Sequence, residues 1–420
     1  MSEQRLRVLI VGAGIAGPAM AFWLQRLGHA CTVLERWDTL RVGGQQIDIR
    51  RQGVEAIKRM GIIDDIRKQG VDEGGIQLVN EASKPVIFFP RNEPGSKTQG
   101  FTSEFEIMRG DLCKILYEKT KDTTTYRFGL SVEEFVDTGD AVRVTLSDGS
   151  EEEYDILVGA DGQGSRIRQA LHKNQAGDDQ LLRHTGCFIC YYSVPREAKD
   201  EDVATCYLGT EQRVVFTRWH RPDMGQVYLI TMSHASDIQD ALKKDIAVQK
   251  DVFANAFKNL EWNEVPRLID AMKTTPTFYA HELIQVRPET YFRGRVVLLG
   301  DSGYCPSAMT GMGTSLALVG AYVLAGEIGR NKGDVKAAFA AYDAVLRPWV
   351  EKVQVLNVQA IRWFFPKSKF AVRMIQFVLG LVYKLNVHKL FQNLAMDGQE
   401  QDVWHMPRYE ELHRFEAEEW

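Results

Sequence analysis

The sequence predicts an α/β protein in which a parallel-stranded domain is interrupted by a mostly antiparallel β-sheet and followed by helices. Three stretches carry that expectation. Residues 6–36 read as strand, glycine loop, helix and second strand. Residues 176–289 change texture to consecutive strand candidates, and residues 295–299 restore the first style before helical periodicity takes over.

The first stretch sets the rest. Residues 6–11 form an uninterrupted apolar run, the mark of a parallel strand buried on both faces. Gly12, Gly14 and Gly17 follow at once as G-x-G-x-x-G, with Ala13 and Ile15 between them. Gly12 suits a tight turn, Gly14 lets backbone approach a pyrophosphate, and Gly17 lets helix and strand pack closely. The helix offers unpaired N–H groups and its positive end to phosphates. A second strand, residues 31–34, ends at Glu35, 18 positions after Gly17, where a carboxylate can accept from a ribose diol. The expected unit is a Rossmann-like dinucleotide-binding βαβ.

Bulk composition sets limits. A chain of 420 residues is long enough for two or three domains with well-buried cores. A net charge of −5 leaves no basic surplus to neutralise phosphates, so no nucleic-acid partner is expected. Six scattered cysteines (31, 113, 187, 190, 206 and 305) fit a reducing compartment without a disulfide framework. The first strand starts close to Met1, leaving no room for a leader, so the expectation is a cytoplasmic protein.

Along the chain, residues 46–49 read as a short strand, 54–60 as a helix, and 76–80 with 85–89 as a hairpin followed by a polar connection through 90–100. Residues 101–108 lead into a helix over 111–119. Three β-like pieces follow at 125–128, 132–136 and 142–146, then a buried strand at 154–158. In the second texture, strands are expected at 184–194, 203–208, 213–219, 226–232 and 277–286, with a helix at 245–259. The expected domains are 1–175 (with 73–100 contributing to the other side), 176–289, 290–335, and C-terminal helices with a tail over 336–420. Residues 370–396 have an apolar core too short to span a bilayer. They either pack on the protein itself, the favoured reading, or lie on a membrane surface. Residues 402–420 read as a polar, partly ordered tail. No internal repeat is visible.

Three further motifs bear on which dinucleotide is bound. Arg109 precedes Leu112 and Leu116, whose spacing anchors a helix in the core and holds the arginine at its start. It is either a surface residue or one that reaches a cofactor. Asp161, in Gly159-Ala160-Asp161-Gly162, either orients groups near the pyrophosphate or caps the helix that follows. Asp301, in Gly300-Asp301, can bind polyol hydroxyls. Gly311, Gly313 and Thr314 open a long helix whose positive end favours negative charge on a reduced ring. Its alternative is a capped core helix.

The order of these motifs resembles single-component FAD-dependent monooxygenases with the p-hydroxybenzoate-hydroxylase fold, over roughly residues 6–330. Within that family the tetracycline-inactivating type is nearest, through Gly43-Gly44-Gln45-Gln46-Ile47-Asp48-Ile49 and residues 53–61. The resemblance implies FAD as cofactor and NADPH or NADH as a transient co-substrate. It places Glu35 at ribose, Arg36 and Arg109 along the cofactor, Asp161 near the pyrophosphate, Asp301 at the ribityl chain, and Gly44, Gln46 and Asp48 beside the ring. One departure stands out: Gly-Asp-Ser-Gly-Tyr at 300–304 replaces the family's Gly-Asp-Ala-Ala-His, and Pro306 falls early.

The implied chemistry is transfer of one oxygen atom from a flavin C4a-hydroperoxide, hydroxylating or epoxidising a small aromatic or polycyclic molecule. Monomer and homodimer both stay open, and no metal is implied. Arg213, Trp219 and His234 lie on or just after strands of the β domain and are substrate-side candidates, with core or surface placement as the alternative. Cys187 and Cys190 alternate to opposite faces of a strand and read as packing residues. The rival functions are an FAD-dependent reductase or dehydrogenase without oxygen insertion, and a non-catalytic FAD-binding protein. A halogenase is disfavoured because no W-x-W-x-I-P segment occurs.

Overall fold

The computed structural model describes residues 5–41, 43–71, 73–91, 104–173, 178–385 and 404–413. The chain opens with β1 (Arg7–Val11), α1 (Ala16–Arg26), β2 (Ala30–Glu35), β3 (Gln46–Asp48), α2 (Gln52–Arg59) and α3 (Ile63–Lys68). The hairpin β4 (Gly75–Val79) and β5 (Pro85–Pro90) comes next, then β6 (Glu106–Met108), α4 (Arg109–Glu118) and β7 (Thr125–Phe128). A meander of β8 (Val132–Asp137), β9 (Val142–Leu146) and β10 (Glu151–Tyr154) leads into β11 (Ile156–Gly159) and α5 (Arg166–His172). The polar connection expected at 90–100 falls almost wholly outside the described residues, as does the boundary expected at 175/176.

The first sheet has the order β19-β20-β11-β1-β2-β7, with β20 (Val296–Leu298) parallel to β11 and β19 (Phe292–Arg293) an antiparallel edge. Val8 and Ile10 of β1 face one apolar core and Leu9 and Val11 the other, which is why its sequence is apolar without alternation. The strand expected at 154–158 is two strands. Tyr154 ends β10, which pairs antiparallel with β9, and Ile156 begins β11, which pairs parallel with β1. Only Asp155 separates Tyr154 from the apolar run of β11, and no turn residue marks the break.

β12 (Leu182–Arg183) stands outside the second sheet, which is built by β13 (Phe188–Pro195), β14 (Ala204–Leu208), β15 (Arg213–Arg218) and β16 (Met224–Thr231). Helices α6 (Ala235–Ala241), α7 (Ile246–Phe257) and α8 (Val265–Thr274) precede β17 (Tyr279–Glu282) and β18 (Gln285–Val286). Its seven strands run β17-β13-β16-β15-β14-β4-β5, so the hairpin of residues 75–90 is an edge of this sheet. The one parallel neighbour is β4 against β14. One face is covered by α6–α8, with Phe253, Phe257 and Met272 against Tyr192, Val215 and Leu229. The other carries Ile189, Tyr191, Phe216, Tyr228 and Ile230, with Met309 packed against them. Cys187 lies on this face and Cys190 on the helix-covered one, both buried, as strand alternation requires.

After β20 come α9 (Asp301–Tyr304), α10 (Gly313–Arg330), α11 (Val335–Val353), α12 (Val358–Trp363), α13 (Lys369–Lys384) and α14 (Glu410–His413). Buried residues run unbroken along α10 from Ser315 to Ile328, so it is a core helix enclosed on all sides. The described residues of the expected tail are not a solvated end. Trp404 stacks on Trp349 at 5.1 Å, and Tyr409 is fully buried with its hydroxyl donating to Glu327 at 2.7 Å. A Cβ on Gly326 would stand 2.2 Å from the Tyr409 ring, so the glycine makes room for it. On α13, Ile375, Leu379 and Tyr383 pack on the β5 side of the second sheet, the favoured reading for this stretch, while residues 386–396 lie outside the described ones.

Candidate active site

The turn after β1 leaves no room for side chains. Gly12 has φ of +111°, and a Cβ there would stand 2.4 Å from the Ala160 carbonyl oxygen. A Cβ on Gly17 would stand 2.0 Å from the Gly12 oxygen. Among the described residues no side chain caps the start of α1 at Ile15, so its first N–H groups stay directed into the loop. Glu35 closes one side: its carboxylate accepts from Ala13 N–H at 3.0 Å and Trp37 N–H at 3.2 Å. Each oxygen keeps a lone pair for a further donor such as a ribose hydroxyl.

Arg109 is the first residue of α4, where its N–H donates to the Gln45 carbonyl at 3.0 Å. Its stem lies against Gly44, and its guanidinium reaches within 3.2 Å of where a Gly14 Cβ would be. The arginine therefore crosses from β3 to the glycine loop. Burial, with Arg109 and Arg36 nearby, holds the Arg41 guanidinium below its ordinary value. Three cations converging beside Glu35 are a fit for a pyrophosphate.

Asp161 takes the capping alternative. One carboxylate oxygen accepts from Ser165 Oγ at 2.5 Å and the other from the N–H groups of Arg166 and Ile167 at 2.8 and 3.3 Å. It is the backbone of Ala160 and Asp161, not the Asp161 carboxylate, that lies against Gly12. Asp301 follows Gly300 (φ +70°) in an enclosed position where burial pushes its carboxyl up. Its Oδ1 is 3.6 Å from where a Gly313 Cβ would be, next to the uncapped start of α10 where Thr314 follows. Gly311 turns the chain into that helix with φ of +64°.

The departure at 302–304 is a packing variation. Ser302 Oγ donates to the Gly159 carbonyl, tying α9 to β11. Tyr304 is fully buried, and its hydroxyl accepts from Tyr342 at 2.9 Å, under α9.

The segment from Gly44 to Asp48 is held by the second sheet. Gln226 Nε2 donates to the Gly44 carbonyl at 2.6 Å, and Gln46 N–H donates to Gln226 Oε1 and the Tyr228 hydroxyl at 3.1 and 3.3 Å. Gln46 Nε2 donates to Glu106 at 2.8 Å. Arg218 bridges Glu106 and Glu73 at 2.8 and 2.5 Å, both carboxylates being buried. Burial raises the Glu106 carboxyl, which Arg218 opposes. Of the ten buried side-chain polar atoms without a partner among the described residues, Gln46 Oε1 and Asp48 Oδ1 belong to this segment, and Ser307 Oγ lies in the loop before α10. Such orphans mark where a polar ligand belongs. Together with the glycine cradle and the cations they fit FAD.

Facing that segment, the second sheet presents an aromatic wall. Tyr191 meets Tyr228 edge-on at 5.1 Å and lies parallel to His281 at 5.7 Å; Phe216 and Tyr279 extend the cluster. His281 Nδ1 is 2.9 Å from the Glu282 carbonyl oxygen. An acceptor there puts the ring proton on Nδ1 and the lone pair on Nε2. Burial holds this imidazole below its ordinary value.

Residues 5–351 match a family model described as "FAD binding domain". An FAD-dependent monooxygenase of Sarocladium schorii, asL4, is 34% identical over 97% of this chain and 99% of its own. A flavin-dependent monooxygenase of Phoma sp., eupH, is 37% identical over 89% and 91%. The chain belongs to the flavin-dependent monooxygenases of this FAD-binding family. The crystal structure of the tetracycline destructase Tet(55) superposes with a TM-score of 0.77 at 28% identity, covering 97% of this chain and all of that one.

In this monooxygenase the three substrate-side candidates are not at the site. Arg213 is buried on the helix-covered face, donating to the Thr210 carbonyl at 3.1 Å and to that of Ala256. Trp219 packs on that face between Arg196 and Arg267. His234 is exposed at the start of α6, with φ of 54°. The reason is parity: on β15 residues 213, 215 and 217 face the helices, and Phe216 and Arg218 face the first domain. The residues missed (Arg41, Tyr191, Phe216, Arg218, Tyr228, His281) belong to no motif. The only available signal was the density of aromatics in strands of unknown facing.

Proposed function

We propose that this FAD-dependent monooxygenase hydroxylates or epoxidises a small aromatic or polycyclic molecule held against the wall of Tyr191, Phe216, Tyr228 and His281, using O2 and NADPH or NADH. The observation that carries this reading is the wall itself: flat π-faces opposite the segment Gly44–Asp48 suit a flat, apolar guest. The relatives' printed names are monooxygenases and tetracycline destructases, which supports a role in secondary metabolism or antibiotic modification.

Gly12 to Gly17, Glu35, Arg36, Arg41 and Arg109 would hold the adenosine and pyrophosphate, Asp301 the polyol chain, and Gly44 to Asp48 with the start of α10 the ring. When bound, FAD supplies hydride acceptance from the nicotinamide and activation of O2 for transfer of one oxygen atom. The chain's own residues bind, orient and exclude water. The positive end of α10 favours negative charge beside it. Tyr228, anchored to Gln226, fixes the aromatic wall to the ring-side segment. His281, neutral with its lone pair on Nε2, takes the proton of a phenolic hydroxyl. The free thiols among all six cysteines support a cytoplasmic setting.

The test is a screen of phenolic and polycyclic compounds for accelerated NAD(P)H oxidation under isotopically labelled O2. The expected result is label in the product. Substrate-dependent oxidation that persists without O2 and leaves no label would favour the reductase reading instead.

A further inference from the structure

While one stripe of α13 packs on the second sheet, its opposite stripe is bare. Phe370, Met374, Phe377, Val378, Leu381 and Leu385 follow one another at helical spacing on the outer face, Phe370 and Phe377 with 75% and 67% of their surface exposed. Trp363 and Phe364, just before, are 82% and 60% exposed and extend the patch. Isolated exposed apolar residues need no explanation, but a contiguous face carrying four aromatic rings does. Its charges are equally one-sided. Residues 352–396 contain no Asp or Glu, although the chain as a whole carries 56 acids and a net charge of −5. Arg362, Lys367, Arg373 and Lys384 are exposed around the stripe, and Lys369 is paired with Glu261.

We propose that the outer face of α12 and α13 docks on an anionic lipid bilayer surface, with the rings entering the headgroup boundary and the basic side chains meeting lipid phosphates and carboxylates. Charge selects this occupant. A second copy related by a two-fold axis would bring Arg373 and Lys384 against the same cations. Of the stretch that follows, residues 386–396 bring Lys389 and no acid, while Asp397, Glu400 and Asp402 lie in a polar run with Val403 alone to cover the rings, so no part of it matches both the cations and the aromatic stripe. An anionic bilayer complements both the rings and the cations. The attachment is peripheral, since among the described residues no helix is long and apolar enough to cross a membrane. Phe365 packs both with the inward stripe of α13 and with the apolar group around Tyr191 and Tyr228, so the helix that carries the docked face rests its other side beside the aromatic wall.

The experiment sediments the full-length, FAD-loaded protein with vesicles of phosphatidylcholine alone or containing phosphatidylserine. Binding is expected to the phosphatidylserine vesicles, falling as salt rises. Phe377→Glu, on the bare stripe, should lower binding about tenfold or more at an unchanged melting temperature. Arg373→Gln with Lys384→Gln should lower it about tenfold without touching the apolar stripe. Absence of binding to either vesicle overturns the proposal, as does equal binding to both. A dimer in light scattering that Phe377→Glu dissolves overturns it in favour of a second copy. Slow hydrogen exchange across α13, unchanged by vesicles and lost when residues 386–396 are replaced by a Gly/Ser linker of equal length that keeps Trp404 and Tyr409, overturns it in favour of the chain's own end.

Discussion

Gly12 is the residue on which cofactor binding is most exposed to a single change. Its φ and the 2.4 Å approach to Ala160 both exclude a side chain. Gly12→Ala therefore introduces about 1–3 kcal/mol of strain at the pyrophosphate turn, and FAD affinity should fall roughly tenfold or more by fluorescence titration. His281 makes a different prediction. Because burial lowers its pKa, the neutral form persists below the ordinary histidine range, and activity on phenols should lose its acid limb only at lower pH. The stability it contributes has the same sign, present above the unfolded value near 6.5 and lost as pH falls through the folded one. His281→Gln should reduce kcat for a phenolic substrate by about a hundredfold while flavin content stays unchanged. A matching drop with non-phenolic substrates would count against the proton-acceptor role.

At the scale of elements, the ribbon β3–β6 is joined to the second sheet by Glu73, Glu106 and Arg218. One guanidinium serves two buried carboxylates, so Arg218→Met strands both, at a cost of about 3–5 kcal/mol in thermal or urea unfolding. Glu106 adds a pH signature. Its folded pKa is raised, so the stability it contributes is present below the unfolded carboxyl range and is lost as pH rises through the folded value. Removing Arg218 raises that pKa further, so the gap in melting temperature between wild type and variant should widen from pH 5 to pH 8. A constant gap would mean that Arg218 acts through packing alone. The ladder from Gly44 through Gln226 and Tyr228 sets the distance between the Gly44–Asp48 segment and the aromatic wall, the two sides of the proposed site.

For the whole molecule, FAD bound as proposed would lie where the glycine loop, β3, Asp301 and α10 meet, so one ligand would join pieces of chain nearly three hundred residues apart. Binding to the folded state alone stabilises it by about 2.7 kcal/mol when free FAD is at a hundred times its Kd. Stripped protein should unfold at a lower temperature than the same sample with FAD restored, read by scanning calorimetry. Equal melting temperatures would show that the cradle does not close on the cofactor.

How much of this was legible beforehand follows the range of the forces involved. The glycine spacing after β1, Glu35, Arg109 before its two leucines, and Asp301 could all be read from the sequence. In each the chemistry and the geometry that positions it lie within a few residues, and backbone sterics act locally. The facing of β15, the split at Asp155, the docking of Tyr409 on Gly326 and the convergence of Arg36, Arg41 and Arg109 were decided only in the folded molecule. Each depends on which distant surface an element packs against, and an alternating or uniformly apolar stretch reads the same from either face. Strand parity separates Arg213 from Phe216, and only the neighbouring sheet and helices say which side faces the first domain.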